Sequence, residues 1–308
     1  MNKEIKGIKI FTEDFKNIHV TTVKIINDNG EKKIGKPKGT YITIESPMLN
    51  KNSVECRRQA IKILADSIKK LLADKKFDNI LIVGLGNWNI TADALGPKVI
   101  SKVLVTRHMK NFVANELKNT LRTVSAISPG VLGITGIETF EIVKGICERT
   151  KPDLTIIVDS LAARNSSRIN STIQLADTGI TPGAGMGNKR VTLDKESLGC
   201  EVISIGVPTV IDAATLINDT MDKILNVMVE ACEKNFEHDF MLNLSNLSSD
   251  EKYNLITEIL NPYEENMFVT PKEVDEVIER LSNIIANAIN ISLHNSITLD
   301  DIDNFLCK

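Results

Sequence analysis

Residues 80–97 read ILIVGLGNWNITADALGP, and this stretch decides the fold. Ile80 to Val83 is a short unbroken apolar run stopped by Gly84, the pattern of a strand buried on both faces and paired in parallel. The glycines at 84 and 86 permit a tight turn, and Leu95, Val99 and Val103 then recur at helical spacing. A buried strand that turns through glycines into a helix is the start of an α/β fold.

The same alternation extends in both directions. Upstream, Ile61, Leu64, Ala65, Ile68, Leu71 and Leu72 form the stripe of an amphipathic helix running from Ser53 to near Asp74. Downstream, Val124 to Ile127 reads as a strand. Thr135 and Glu138 then read as a T-x-x-E capping box for a helix carrying Phe140, Val143, Ile146 and Cys147. Leu154 to Val158 and Val202 to Val207 are two further buried strands, and a helix follows over Asp212 to Cys232. Thr270-Pro271-Lys272-Glu273 combines an N-cap, a first-turn proline and a capping box. It opens a helix striped by Val274, Val277, Ile278, Leu281, Ile284, Ile285 and Ala288. The pattern predicts an α/β fold with a mainly parallel sheet flanked by helices and a helical C-terminal part.

The first 50 residues differ. His19 to Ile26 and Tyr41 to Ile44 are rich in β-branched residues, with turn chemistry between them at Asn27 to Gly30 and Gly35 to Gly39. This gives a β-rich N-terminal extension over 1–52 and an α/β domain over 53–308, one domain overall.

Composition excludes several classes. A net charge of −3 and 4% aromatic residues speak against a nucleic-acid surface or base-stacking platform, and against attraction to an anionic membrane. No apolar run approaches the roughly 20 residues of a membrane span. Met1 to Lys9 is charged without an apolar core, so no secretory signal is expected. Five scattered cysteines, with no CxxC, do not read as a disulfide framework and suit a reducing cytoplasm. The four histidines are far apart, with no HExxH, and neither metal nor cofactor is expected.

In open α/β sheets ligands bind beyond the carboxyl ends of the strands. Two aspartates fall there. Asp93 follows the Gly84-Leu85-Gly86-Asn87 turn near the start of a helix, and Asp159 heads Asp159-Ser160-Leu161-Ala162-Ala163-Arg164 after Leu154 to Val158. If the two strands are parallel neighbours, both carboxylates enter one crevice. Two close carboxylates share a proton at neutral pH, which supplies a base for water and an acid for a leaving group. The structural alternative makes Asp93 a helix N-cap and Asp159 a strand-end residue bonded to backbone amides. Asn87, Ser160 and Arg164 are supporting candidates beside the pair. A glycine-rich segment, Asp177 to Arg190, holds an Asp-Thr-Gly triplet that this α/β chain gives no reason to call catalytic. It lacks Gly-Lys-Ser/Thr, so it is not a P-loop. It reads instead as a mobile loop at the mouth of the site, with Gly183, Gly185, Lys189 and Arg190 available to an acidic substrate, or equally as a plain surface loop.

The chain resembles the germination protease family of spore-forming bacteria over nearly its whole length. The resemblance rests on GLGNWNITADALGP (84–97), VTRH (105–108), VSAISPGVLGITGIET (124–139), DSLAAR (159–164) and NSTIQLADTGITPGAGMGNKR (170–190). IGVPTVIDAAT (205–215) and VTPKEVDEVIE (269–279) extend it. It implies a fold similar to hydrogenase maturation peptidases and an atypical aspartic endopeptidase, a homotetramer in the spore core. Its substrates would be the small acid-soluble spore proteins. The family's two essential aspartates correspond here to Asp93 and Asp159. Rival readings are a metal-assisted peptidase in the same crevice and a non-catalytic glycine-loop binding protein. The chain departs from the family at Ala92, where a proline is usual. Met1 to Lys16 lacks the Arg-Thr-Asp-Leu-Ala type motif of the family pro-segment, so maturation by removing such a segment is not expected.

Overall fold

A computed structural model describes residues 2–5, 7–51, 53–72, 75–109, 121–183, 191–231, 248–260, 267–294 and 296–301. Among the described residues ten strands form one mixed sheet: β1 (Asn2–Ile5), β2 (Ile8–Phe15), β3 (Ile18–Ile25), β4 (Gly39–Glu45), β5 (Asn79–Gly84), β6 (Thr123–Ile127), β7 (Leu154–Ala163), β8 (Thr172–Ala176), β9 (Glu201–Asp212) and β10 (Phe268–Val269). Their order across the sheet is β1-β2-β3-β4-β8-β9-β7-β5-β6, with β10 beside β9. The half holding β9, β7, β5 and β6 is parallel. The other half is antiparallel and joins it where β8 pairs with β9.

The seven longer helices described are α1 (Asp28–Ile34), α2 (Val54–Leu72), α3 (Leu95–Ile100), α4 (Thr139–Thr150), α5 (Ala213–Ala231), α6 (Ser249–Leu260) and α7 (Val274–Leu293). The parallel half is covered on both faces, as its continuous apolar strands require. Ile80 and Ile82 of β5 pack toward α2, α3 and α7 with Leu64, Ile68, Leu95, Val99, Leu281 and Ile285. Leu81 and Val83 pack on the opposite face against Val143 and Cys147 of α4 and against Leu193 and Leu198. The predicted stripe of α7 is the buried one: Ile278, Leu281, Ile284, Ile285 and Ala288 are almost wholly inside. Each large aliphatic side chain there contributes about 1.5–3 kcal/mol of burial, and Leu281→Ala would cost about 2–5 kcal/mol through the cavity it leaves.

Several local expectations change. The residues between the N-terminal strands are not a plain turn, because α1 occupies them. The Asn27 side chain accepts a bond from Gly30 N at its start, and Gly35 closes it in the left-handed region (φ +71°). The turn-forming residues serve as the two caps. The charged stretch ahead of His19 contains β2, paired along its whole length with β3. Neither predicted capping box forms. Glu138 is the N-cap of α4 without a side-chain bond, and the Thr135 hydroxyl donates instead to Val131 O and Ile137 O. Glu273 caps α7 likewise without a side-chain bond, while the Thr270 hydroxyl donates to Thr209 O. Among the described residues no helix is long and apolar enough to cross a membrane.

Candidate active site

β5 lies between β6 and β7. The chain leaves β5 toward β6 and comes back to β7 on the other side, so the loops after β5 and β7 part in opposite directions. That divergence opens a crevice at the carboxyl ends of the two strands, where open α/β sheets bind ligands. β5 and β7 are parallel neighbours, so the condition set by the sequence for a shared crevice is met.

Asp93 is delivered by a closed loop. Gly86 has φ +117°, and a Cβ there would overlap the Asp93 carbonyl oxygen, so only glycine fits without displacement. The Asn87 amide donates to that same oxygen (3.1 Å), the Asn87 side chain accepts from Asn89 N (3.0 Å), and Asp93 N donates to Ile90 O (2.8 Å). Gly84 and Gly96 bring β5 and α3 together backbone to backbone, since a Cβ on either would run into main-chain atoms of the other segment. The N-cap of α3 is Ala94, one residue beyond Asp93, so Asp93 is not held there by helix capping.

Asp159 lies inside β7, which runs five residues further than its apolar core because Asp159 to Ala163 continue to pair with β9. Strand alternation puts Thr155, Ile157 and Asp159 on one face. Asp159 is 6% exposed and opposite Gly206. One of its carboxylate oxygens accepts from Ser160 N (2.9 Å). Leu85 N donates to Val158 O (2.8 Å), tying the β5 loop to β7 beside Asp159.

A cavity of about 450 Å³ receives both aspartates. Asn87, Ser160 and Gly183 line it as well, so five of the sequence-derived candidates meet in one place. Arg164 does not. It is exposed just past the end of β7, close enough to Lys36 to help hold that ammonium below its usual range, second to burial. Gly185, Lys189 and Arg190, with most of the expected mobile loop, lie outside the described residues. Asp177 is not among the residues that line the cavity, and its carboxylate accepts from Thr40 N (2.7 Å).

Sequence reasoning missed the other walls. Gly130 to Gly133 follow β6 and form one side, a glycine-bearing segment entered through Pro129 whose position after a strand is the available signal. Thr209, Val210 and Phe268 arrive through the far end of β9 and through β10, which no local pattern marks. The hydroxyls of Ser160 and Thr209 are buried and have no hydrogen-bond partner among the described residues. Such groups are costly unless water or a ligand meets them. The cavity therefore combines two carboxylates, two unpartnered hydroxyls and apolar walls. Among the described residues no group of three or more His, Cys, Asp or Glu could hold a metal ion.

The germination protease family model matches residues 1–239 and 228–306. The chain belongs to the germination protease family. A germination protease of Caldanaerobacter subterraneus is 46% identical over 304 residues, covering 99% of this chain and 93% of the relative. That of Clostridium acetobutylicum is 46% identical, covering 97% and 92%, and that of Bacillus subtilis 40% identical, covering 97% and 89%. Among solved structures, the [NiFe] hydrogenase maturation protease HycI of Thermococcus kodakarensis is 18% identical with a TM-score of 0.35. That match covers 72% of this chain and 98% of the other, and it carries no functional weight. Membership makes this chain a protease with a role in germination, and hence one that acts on protein.

Proposed function

We propose that this member of the germination protease family is an endopeptidase that starts the degradation of small acid-soluble spore proteins, with Asp93 and Asp159 as its catalytic pair. The observation that carries the reading is the convergence of the two carboxylates, from neighbouring parallel strands, in one cavity. Asp159, the more buried, is assigned the role of acid, since burial disfavours a charged carboxyl. Asp93, partly exposed, takes a proton from water as that water attacks the scissile carbonyl. Asp159 donates its proton to the carbonyl oxygen, giving a gem-diol. The proton gained by Asp93 then goes to the leaving amine as the C–N bond breaks, and a diol hydroxyl returns a proton to Asp159, restoring the pair. Ser160 and Thr209, residues of the cavity lining whose hydroxyls lack a partner among the described residues, are assigned to the substrate backbone.

The rim suits a protein substrate presented in extended form. Trp88, Ile90, Leu132, Ile134 and Ile137 are exposed apolar side chains on the segments that follow β5 and β6. They offer contact area for apolar residues on either side of the cut bond. The same reading carries a homotetramer in the cytoplasm of the spore core, which sedimentation of the purified protein tests for assembly.

Incubating the protein with a small acid-soluble spore protein, with and without chelator, tests the activity. Chelator-resistant cleavage is expected. Chelator-sensitive cleavage replaces the aspartate mechanism with a metal-assisted one, and intact substrate reduces the cleft to a binding site.

A further inference from the structure

Two cysteines away from the cleft share one buried hydroxyl. The Thr155 Oγ1 on β7 is 3.8 Å from the Cys147 sulfur on α4 and 3.2 Å from the Cys200 sulfur at the start of β9. Thr155 is wholly buried, Cys147 is 4% exposed and Cys200 is half-buried, and both thiols are free. Cys147 belongs to the core between α4 and the sheet, and Cys200 packs at its edge. We infer that Cys147 and Cys200 form a reactive dithiol that closes to a disulfide when a hydroperoxide supplies the oxidising equivalents.

The chemistry assigns different roles to the two sulfurs. Cys200 is the more accessible, so it meets the oxidant first. Its thiol is drawn below the usual range, chiefly by a bond from the Cys147 S–H, with Thr155 assisting against burial. Cys147 is pushed up by that same bond and by burial. A low thiol pKa and partial exposure are the marks of an oxidisable cysteine. The Cys200 thiolate attacks the outer oxygen of the hydroperoxide and the O–O bond breaks. The departing alkoxide takes up a proton to leave as an alcohol, or as water from hydrogen peroxide. The Cys147 sulfur, giving up its proton, then displaces the oxygen from the Cys200 sulfenic acid, which leaves as water. Two thiols and one hydroperoxide become one disulfide, one alcohol and one water.

The link would bracket β7 and β8, and with them Asp159, Ser160 and Gly183. Thr155 is four residues before Asp159, about 13 Å along an extended strand. The disulfide therefore staples the segment that carries the cleft from the end remote from it. Closing a loop of that size constrains the unfolded chain and raises stability without new native contacts.

The test treats the full chain with a slight excess of hydrogen peroxide, blocks residual thiols and maps the non-reduced digest by mass spectrometry. The expected first product is a Cys147–Cys200 cross-linked peptide, accompanied by a rise in Tm of about 5 °C. A thiol reductant should reverse both, and both should be absent in Cys147→Ser and Cys200→Ser. Cys200 trapped as sulfinic acid with Cys147 still reduced would overturn the proposal. A bridge to Cys56, Cys232 or Cys307 instead, or no rise in Tm, would do the same. The peptide map of the unmutated chain decides the point even if a serine variant fails to fold, and neither readout depends on peptidase activity.

Discussion

Asp93 and Asp177 both sit in glycine-bearing loops at the ends of strands, yet they have opposite surroundings. Asp93 follows β5, a parallel strand at the point where the chain diverges to either side, and it lines the cavity. Asp177 follows β8, an antiparallel strand between β4 and β9, and its carboxylate is occupied by the amide of Thr40 at the start of β4. The end of an antiparallel strand meets the beginning of its neighbour, whose unpaired amide is the nearest partner for an acid. The end of a parallel strand meets another end, and the space between departing loops stays open. The Asp-Thr-Gly triplet is the more suggestive local sequence, but sheet topology outweighs it.

The sharpest way to break this comparison is to remove the charges. Asp93→Asn and Asp159→Asn should each lower cleavage of a small acid-soluble spore protein by about 10²–10⁴-fold, the span of a lost general acid or base. Thermal unfolding of both variants should stay close to the parent, since neither residue is a helix cap in this fold. Near-normal turnover by either one would take the pair out of the mechanism and make the two loops equivalent.

Gly86→Ala sharpens the comparison without touching a catalytic group. The new methyl meets the Asp93 carbonyl oxygen, and φ +117° is hostile to alanine. The expected stability loss is about 1–3 kcal/mol, read from denaturant unfolding, with activity falling about tenfold as Asp93 is displaced. Gly35, with φ +71° and open space around it, is the control. Gly35→Ala should lose stability from backbone strain alone and leave cleavage intact.

The legible parts of this molecule are those where one physical cause writes directly into the residues. Ile80 to Val83, Leu154 to Val158 and the α7 stripe are apolar because they are buried on every side, so fold class and core followed. The two aspartates were placed because strand ends are visible in the same pattern. Where a residue has two uses, the sequence did not distinguish them. Asn27 and Gly35 are equally good in turns and at helix ends, so their pattern predicts a turn where α1 forms. Thr135 and Thr270 looked like caps but bond to loop and strand carbonyls. Arg164 follows the Asp159 motif closely, yet it falls beyond the cavity because β7 carries it past the mouth. Thr209 and Phe268 belong to the cleft only through pairing between distant segments.

Removing the other aspartate has a smaller expected effect. Asp177→Ala deprives Thr40 N of its acceptor, which costs about 1 kcal/mol. Asp177→Asn keeps an acceptor oxygen and should cost less. Cleavage should stay within about twofold of the parent for both. A loss of activity rivalling that of Asp93→Asn would show that β8, and not β5, presents the working carboxylate.

The weakest effect concerns how α3, the helix leading away from Asp93, is held from outside the cleft. Glu279 of α7 accepts from Lys102 (2.6 Å) and pairs with Lys98 (3.5 Å), so one carboxylate grips the C-terminal end of α3. The bond from Lys102, ahead of the opposing effect of burial, lowers the pKa of Glu279. A carboxyl lowered on folding adds stability that is present above its unfolded pKa of about 4.3. That contribution disappears as pH falls through the lower folded value. About half of the Glu279 side chain is exposed, so solvent screens the pairs and the net effect is small. Glu279→Gln should therefore lower Tm by about 1–2 °C at pH 7. The gap should narrow as the parent is acidified below the ordinary glutamate range, because protonation abolishes in the parent what the substitution removed. A gap that persists unchanged into acid would mean that packing, and not charge, holds α3. If Glu279→Gln reduced cleavage as much as Gly86→Ala, the position of Asp93 would depend on the outer grip of α3 rather than on the closed loop before it.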